Sequence, residues 1–178
     1  VLKSGGKWEK VYTFTLKLIR DIDLMIQLIG EFECKLDAKG RMVLPAALKR
    51  QLPEVEREGL VLNRGFEKHL VIYTREEWNA ITAKLAKLNQ YVEKNRTFIR
   101  AFTRGASELM LDASGRVLLP KSLLTYAGIS GEVVLACQLN KIEVWSKSAY
   151  DALMEDDLGA DFSALAEQVM GDFDLEDM

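Results

Sequence analysis

The stretch "KLDAKGRMVLP", Lys35 to Pro45, returns as "MLDASGRVLLP", Met110 to Pro120, and this repetition decides how the chain folds. Between Leu36–Pro45 and Leu111–Pro120, at an offset of 75, Leu, Asp, Ala, Gly, Arg, Leu and Pro are identical, seven positions of ten. The segments downstream of the two copies are also alike. After the first come a short helix, a strand "GLVLNRG", a turn, a strand "HLVIYT" and a helix opening at Thr74; after the second come "PKSLLTYAGI", "EVVLACQLN", "KIEVWS" and a helix opening at Ser146. From Gly65 onward the offset is read as 72, because the first copy carries the longer charged loop "PEVEREG", and Tyr73 and Trp78 then match Trp145 and Tyr150. An insertion confined to a loop is what a structural duplication tolerates.

Each copy has a local reading. In "EFECKL" Phe32, Cys34 and Leu36 alternate with Glu31, Glu33 and Lys35, the two-residue period of a half-buried strand. Asp-x-x-Gly then turns the chain, since an Asp side chain accepts from nearby backbone N–H groups and Gly adopts positive φ without a Cβ clash. Asp37, Gly40, Asp112 and Gly115 are therefore turn-formers, and Arg41 and Arg116 sit just past them. Pro45 and Pro120 suit the first turn of a helix, and Gly128 suits the stop of the second short helix. Thr74 and Glu77 have capping-box spacing, and Trp78, Ile81, Leu85 and Leu88 form a helical stripe expected in the core or a subunit interface. Arg96, Arg100 and Arg104 recur every four residues, as on one face of a helix.

The 178 residues, 48% of them hydrophobic, suffice for one or two small domains with a packed core. Cys34 and Cys137 stand far apart and in no metal-binding spacing, so they are read as reduced small hydrophobes in a cytosolic protein. The apolar stretch Val11–Ile29 contains Lys17, Arg20, Asp21 and Asp23, too many charges for a membrane span and misplaced for a secretory leader. Net charge is −3, but residues 151–178 hold ten of the 27 acidic residues and no Lys or Arg. The preceding 150 residues thus set all 24 bases against 17 acids, a body of +7 and a tail of −10. Such asymmetry fits a basic binding body with an acidic appendage.

A strand, a D-x-x-G-R turn, a second strand reaching a Pro and a short helix ending at Gly-Ile resemble the swapped-hairpin AbrB family of bacterial DNA-binding proteins. With two units in one chain, "LDAKGR", "LDASGR" and the hairpin "CQLNKIEVW" narrow the resemblance to the MraZ family, over roughly residues 30–158. The chain departs from family usage before Gly30, where "LIG" replaces the usual Phe-Arg-Gly. The resemblance implies an α+β fold in which tandem strand and helix repeats form a pseudo-dimeric swapped-hairpin AbrB-type barrel with flanking helices. The expected organisation is an N-terminal extension over 1–29, flexible or artefactual; a first unit over 30–89; a connecting basic helix over 90–106; a second unit over 107–158; and an acidic tail over 159–178.

The implied function is a non-enzymatic, sequence-specific transcriptional regulator. It would bind double-stranded DNA at short G-rich direct repeats upstream of its own division and cell-wall operon, as a ring-like homo-oligomer in the cytoplasm and nucleoid, with no membrane, cofactor, metal or small-molecule substrate. The residues themselves support that chemistry. An arginine fork reaches O6 and N7 of guanine together, so Arg41 and Arg116 are candidate readers. Lys35, Lys39, Lys49 and Arg50 are candidate phosphate partners around Arg41. The second turn looks weaker, because Ser114 replaces the lysine and Glu108, Asp112, Arg116 and Lys121 cancel. For both arginines the competing reading is a salt bridge to the Asp four residues earlier; it is favoured for Arg116, and DNA contact for Arg41.

Other readings compete. An AbrB-type antitoxin would fold its tail onto a toxin, using Phe162, Leu165, Ala166 and Val169 on one helical face. The tail is alternatively a solubilising segment, a cover for Lys35–Arg50 that competes with DNA, or a contact with a neighbouring subunit. An enzyme is disfavoured, because the lone histidine, His69, reads as a surface residue at a strand end and no nucleophile–base pair appears.

Overall fold

The computed structural model describes residues 27–52, 54–159 and 162–170, so the expected N-terminal extension and the end of the tail lie almost wholly outside the described residues. The first copy supplies strands β1 (Glu31–Lys35), β2 (Arg41–Val43), β3 (Leu60–Arg64) and β4 (Leu70–Thr74). Its helices are α1 (Ala46–Lys49), α2 (Val55–Glu58) and α3 (Arg75–Ala86), and α4 (Glu93–Thr103) leads onward. The second copy supplies β5 (Ser107–Leu109), β6 (Arg116–Leu118), α5 (Lys121–Ala127), β7 (Glu132–Gln138), β8 (Lys141–Ser146) and α6 (Lys147–Gly159), followed by α7 (Phe162–Met170). The protein is α+β, with every strand pair antiparallel.

The two copies build one sheet between them. Its order is β1-β7-β8-β4-β3-β5, so the first strand of each copy pairs with the third strand of the other. At the centre Val71 of β4 faces Glu143 of β8, and in a separate ribbon Met42 of β2 faces Val117 of β6. Each is a pair of equivalent positions, related by 72 residues in the first case and 75 in the second, which places a pseudo-two-fold axis through both. The outer pairings fix the remaining offset. Glu31 faces Ala136, a residue-number sum of 167, and Leu60 faces Leu109, a sum of 169; with +75 for β1 to β5, the shift from β3 to β7 is 73. The first copy therefore holds two extra residues before β3 and one more in the β3–β4 turn, whereas the sequence alone suggests that the whole insertion lies in one loop.

The expected barrel is not closed. The six strands form an open sheet with β1 and β5 as its edges, because β2 and β6 pair with each other and leave the sheet. One sheet face packs on that ribbon and on α1 and α5 through Met42, Leu48, Leu62, Ile72, Val117, Leu123, Leu135 and Ile142, all buried. Strand alternation sends Val134, Ala136 and Trp145 to the other face, where Tyr150 of α6 covers them.

Several local expectations are modified. The charged loop contains α2, entered through Glu54 at φ 57°. Pro45 and Pro120 stand one residue ahead of their helices, at the cap, with ψ 133°. Half of the capping box forms: Thr74 Oγ1 accepts from Glu77 N at 3.2 Å, while the Glu77 carboxylate accepts from Asn140 Nδ2 at 2.8 Å. The stripe on α3 is half-buried and no residue of that helix is fully buried, so it is not core. Arg104 leaves the helix of Arg96 and Arg100, at ψ 115°. His69 is buried, stacked 4.3 Å from Trp145 beside the central strand pair, so it is not a surface residue. Burial pushes its pKa down and favours the neutral ring.

Because Met42 is 1% exposed at the symmetric centre of the ribbon, Met42→Ala is expected to cost about 2–5 kcal/mol. Urea unfolding followed by circular dichroism should show a single displaced transition, since neither copy has a complete sheet of its own; two separated transitions would contradict this.

Candidate nucleic-acid interface

The two Asp-x-x-Gly-Arg turns have the same construction. Asp37 Oδ1 accepts from the backbone N–H of Lys39 and of Arg41, both at 2.9 Å, and Asp37 Oδ2 accepts from Arg41 Nε at 2.7 Å. Asp112 Oδ1 accepts from Ser114 N at 2.8 Å and Arg116 N at 3.0 Å, and its Oδ2 from Arg116 Nε at 2.8 Å. Backbone bonds from Gly40 N to Asp37 O and from Gly115 N to Asp112 O close both loops at 2.9 Å. Gly40 is at φ 81°, and a Cβ there would sit 3.2 Å from Leu119 O, the residue whose N–H donates to Gly40 O. The motif is thus fully used: Asp organises the loop, Gly permits it, and Arg locks it.

Both arginines keep their terminal nitrogens without a protein partner among the described residues. They also share one surface. Arg41 stands opposite Leu118 and Val43 opposite Arg116, while Met42 and Val117 turn inward. Alternation therefore sets Arg41, Val43, Arg116 and Leu118 on the outward face of the ribbon. Val43 and Leu118 are 59% and 56% exposed. The arginines occupy a cross-strand diagonal, their Cα atoms on the order of 7–8 Å apart. Their neighbours in the linear chain make the two arginines look unequal; the structure gives them the same brace, strand position and exposure.

Charge around the turns differs from the linear reading. Lys35 Nζ is 3.2 Å from Glu132 of β7, and Lys49 pairs with Glu56 of α2, so neither is an unopposed cation. Lys39 and Arg50 are exposed and lack a carboxylate partner among the described residues. On the second side Glu108 is taken by Arg75 at 2.5 Å, and Lys121 has no carboxylate partner among the described residues, so that turn is more basic than its sequence suggests. Sequence reasoning counted Lys121 as cancelled and did not single out Val43 and Leu118, for which the alternation "RMV" and "RVL" was the available signal. Among the described residues no three His, Cys, Asp or Glu side chains are grouped to hold a metal ion, and no helix is long and apolar enough to cross a membrane.

Fold and site together define a class: a duplicated α+β protein whose two copies bring a pair of Asp-braced arginine turns onto one ribbon. The chain belongs to the MraZ family. The family model described as "MraZ protein, putative antitoxin-like" matches twice, over residues 28–101 and 102–173. A protein named Transcriptional regulator MraZ from Christiangramia forsetii is 44% identical over 153 residues, 85% of this chain and 98% of the relative. Its namesakes from Flavobacterium psychrophilum and Ligilactobacillus salivarius are 43% and 37% identical, each over 83% of this chain and over 94% and 99% of their own lengths.

The bonds that Arg41 and Arg116 donate hold the carboxyls of Asp37 and Asp112 below the usual carboxylate value of 3.8, the backbone N–H of each arginine contributing most. A depressed pKa stabilises the folded form above the unfolded value, and that contribution is lost as pH falls through the folded value. In an NMR titration the amides of Arg41 and Arg116 should shift with midpoints below pH 3.8; midpoints at or above that value would contradict the brace.

Proposed function

We propose that the protein is a transcriptional regulator that binds double-stranded DNA through the outward face of the β2–β6 ribbon. The single observation that carries this reading is the placement of Arg41 and Arg116 side by side, each with its Nε fixed by an aspartate and its terminal nitrogens without a partner among the described residues. An arginine held by one edge presents the other edge in a fixed plane, the geometry that guanine O6 and N7 require. Val43 and Leu118, exposed between them, suit contact with a thymine methyl group. Lys39 and Arg50 supply phosphate contacts, joined by Lys121; Lys35 and Lys49 contribute only after exchanging Glu132 and Glu56 for phosphate.

The relatives' printed names support regulation of transcription. The finer reading rests on the family resemblance. Short G-rich direct repeats upstream of its own division and cell-wall operon are the target, bound in the nucleoid by a ring-like homo-oligomer whose repeated basic faces raise affinity through effective concentration. The boundaries 30–89 and 107–158 mark the two units by sequence, although each borrows a strand from the other. No enzymatic step, cofactor, metal or small-molecule substrate enters this reading. An antitoxin role is the second reading, motivated by Phe162, Leu165 and Val169 of α7, which are 64%, 51% and 54% exposed.

Gel-shift titration with DNA from upstream of the protein's own gene, beside scrambled DNA of equal length, tests the proposal. Arg41→Ala and Arg116→Ala should each lose about 1–3 kcal/mol of preference for the specific duplex while remaining folded. Equal binding of both duplexes by the unaltered protein would refute it. Lys39→Ala should weaken binding to both duplexes alike and make the salt dependence shallower by about one unit of slope per bound site; a changed base preference with the slope intact would make Lys39 a reader instead.

A further inference from the structure

Near the β3–β5 edge of the sheet, on the rim of the β3–β4 turn, a cleft of about 380 Å³ is lined by Arg64, Phe66, Phe98, Phe102, Arg104 and Tyr126. Its floor is fixed. The Tyr126 hydroxyl lies 3.1 Å from Gly65 O and 3.2 Å from Glu67 O, and its ring carries the Arg64 guanidinium at 4.6 Å and Lys68 Nζ at 4.8 Å. Phe66 is 86% exposed and tilted against Phe102 at a centroid distance of 6.4 Å, and Phe98 stacks on Phe102 at 6.0 Å.

The cleft has cations and no counter-charge. No carboxylate lines it, and among the described residues Arg64, Lys68 and Arg104 form no ion pair. Arg64 Nε is buried with no hydrogen-bond partner, a costly state for a charged group unless something else supplies the acceptor. Nor does the fold demand this chemistry. At the pseudo-symmetric place in the other copy, Arg64, Arg104 and Tyr126 are replaced by Cys137, Ile29 and Gln51, at shifts of 73, 75 and 75. There the Gln51 side chain bonds Ile29 N at 2.8 Å and Ile29 O at 2.9 Å. Among the described residues the same backbone is closed there without a cation, so the aromatic and cationic lining of the first place is a specialised surface.

We infer that this cleft is the docking site for the chain's own C-terminal segment, residues 171–178, "GDFDLEDM". That segment carries Asp172, Asp174, Glu176 and Asp177, one aromatic residue, Phe173, and no base. Phe173 enters between Phe66, Phe98 and Phe102, and the carboxylates on either side of it meet Arg64 and Arg104, for which a carboxylate is the matching bidentate partner. The helix α7 ends at Met170, so Phe173 lies within about 10 Å of the helix end along the chain. The Lys35–Arg50 strip is the poorer acceptor, because Lys35, Arg41 and Lys49 already hold Glu132, Asp37 and Glu56.

The test places the photo-crosslinking residue p-benzoylphenylalanine at position 173 of the full chain and maps the adducts by mass spectrometry. Adducts should fall on Phe66 or on the 98–104 segment. Arg104→Glu, a change at an exposed residue, should cut their yield by about tenfold, equivalent to about 1.4 kcal/mol, and Asp174→Lys in the same chain should restore it. Arg64→Glu should act in the same direction. In a mixture of isotopically heavy and light protein every adduct should be of pure mass, as attachment within one chain requires; adducts of mixed mass would bring the segment from a second copy and overturn the same-chain docking. Adducts confined to the Lys35–Arg50 strip, no adducts within the protein, or a yield indifferent to Arg104→Glu would overturn the inference.

Discussion

Everything in this structure depends on one constraint: an edge strand needs a partner, and the first strand of each copy finds it only in the other copy. Unpaired backbone N–H and C=O groups are costly when removed from water, so β1 without β7, or β5 without β3, leaves a row of groups unsatisfied against the core. The duplication is thus a requirement of the fold. Two copies supply the strands that one copy lacks, and the pseudo-two-fold axis through Met42–Val117 and Val71–Glu143 results from antiparallel pairing of like with like.

That same symmetry makes the site. An axis through the ribbon necessarily brings the two arginine turns together, and the two-residue period of β2 and β6 decides which side chains face out. The braces add rigidity: each arginine is tethered by a carboxylate that is itself held by two backbone N–H groups. Surface ion pairs of this kind add little stability, so their consequence is orientation. Symmetry then breaks in the charges around the turns and, more strongly, at the cleft of Arg64 and Arg104, where one copy holds cations and aromatics and the other an amide clasp.

Features whose cause is local were legible in the sequence. Asp37, Gly40, Asp112 and Gly115 announce their turns, the alternation of "EFECK" announces β1, and Gly128 at φ 64° ends α5 as its position suggests. The Asp–Arg bond was also foreseeable at a spacing of four. The features that the sequence concealed depend on partners far away in the chain. Glu132 approaches Lys35 only because β7 runs beside β1, and Glu108 meets Arg75 only because β5 joins the sheet on the side of β3 and β4. His69 reads as a surface residue at a strand end until Trp145, from the other copy, stacks on it. The resemblance carried the family, but it did not carry the open sheet, which arises because β2 and β6 leave to pair with each other.

The central claim is that Arg41 and Arg116 read DNA together from one face, and methylation interference tests it most directly. Methylating N7 of guanine fills the acceptor that an arginine fork uses, so it should block binding at the guanines that are read. With the unaltered protein the account predicts interference at separate guanines for the two arginines, one set lost in Arg41→Lys and the other in Arg116→Lys, since lysine lacks the fork. An interference pattern left unchanged by Arg116→Lys, with folding intact, would contradict it.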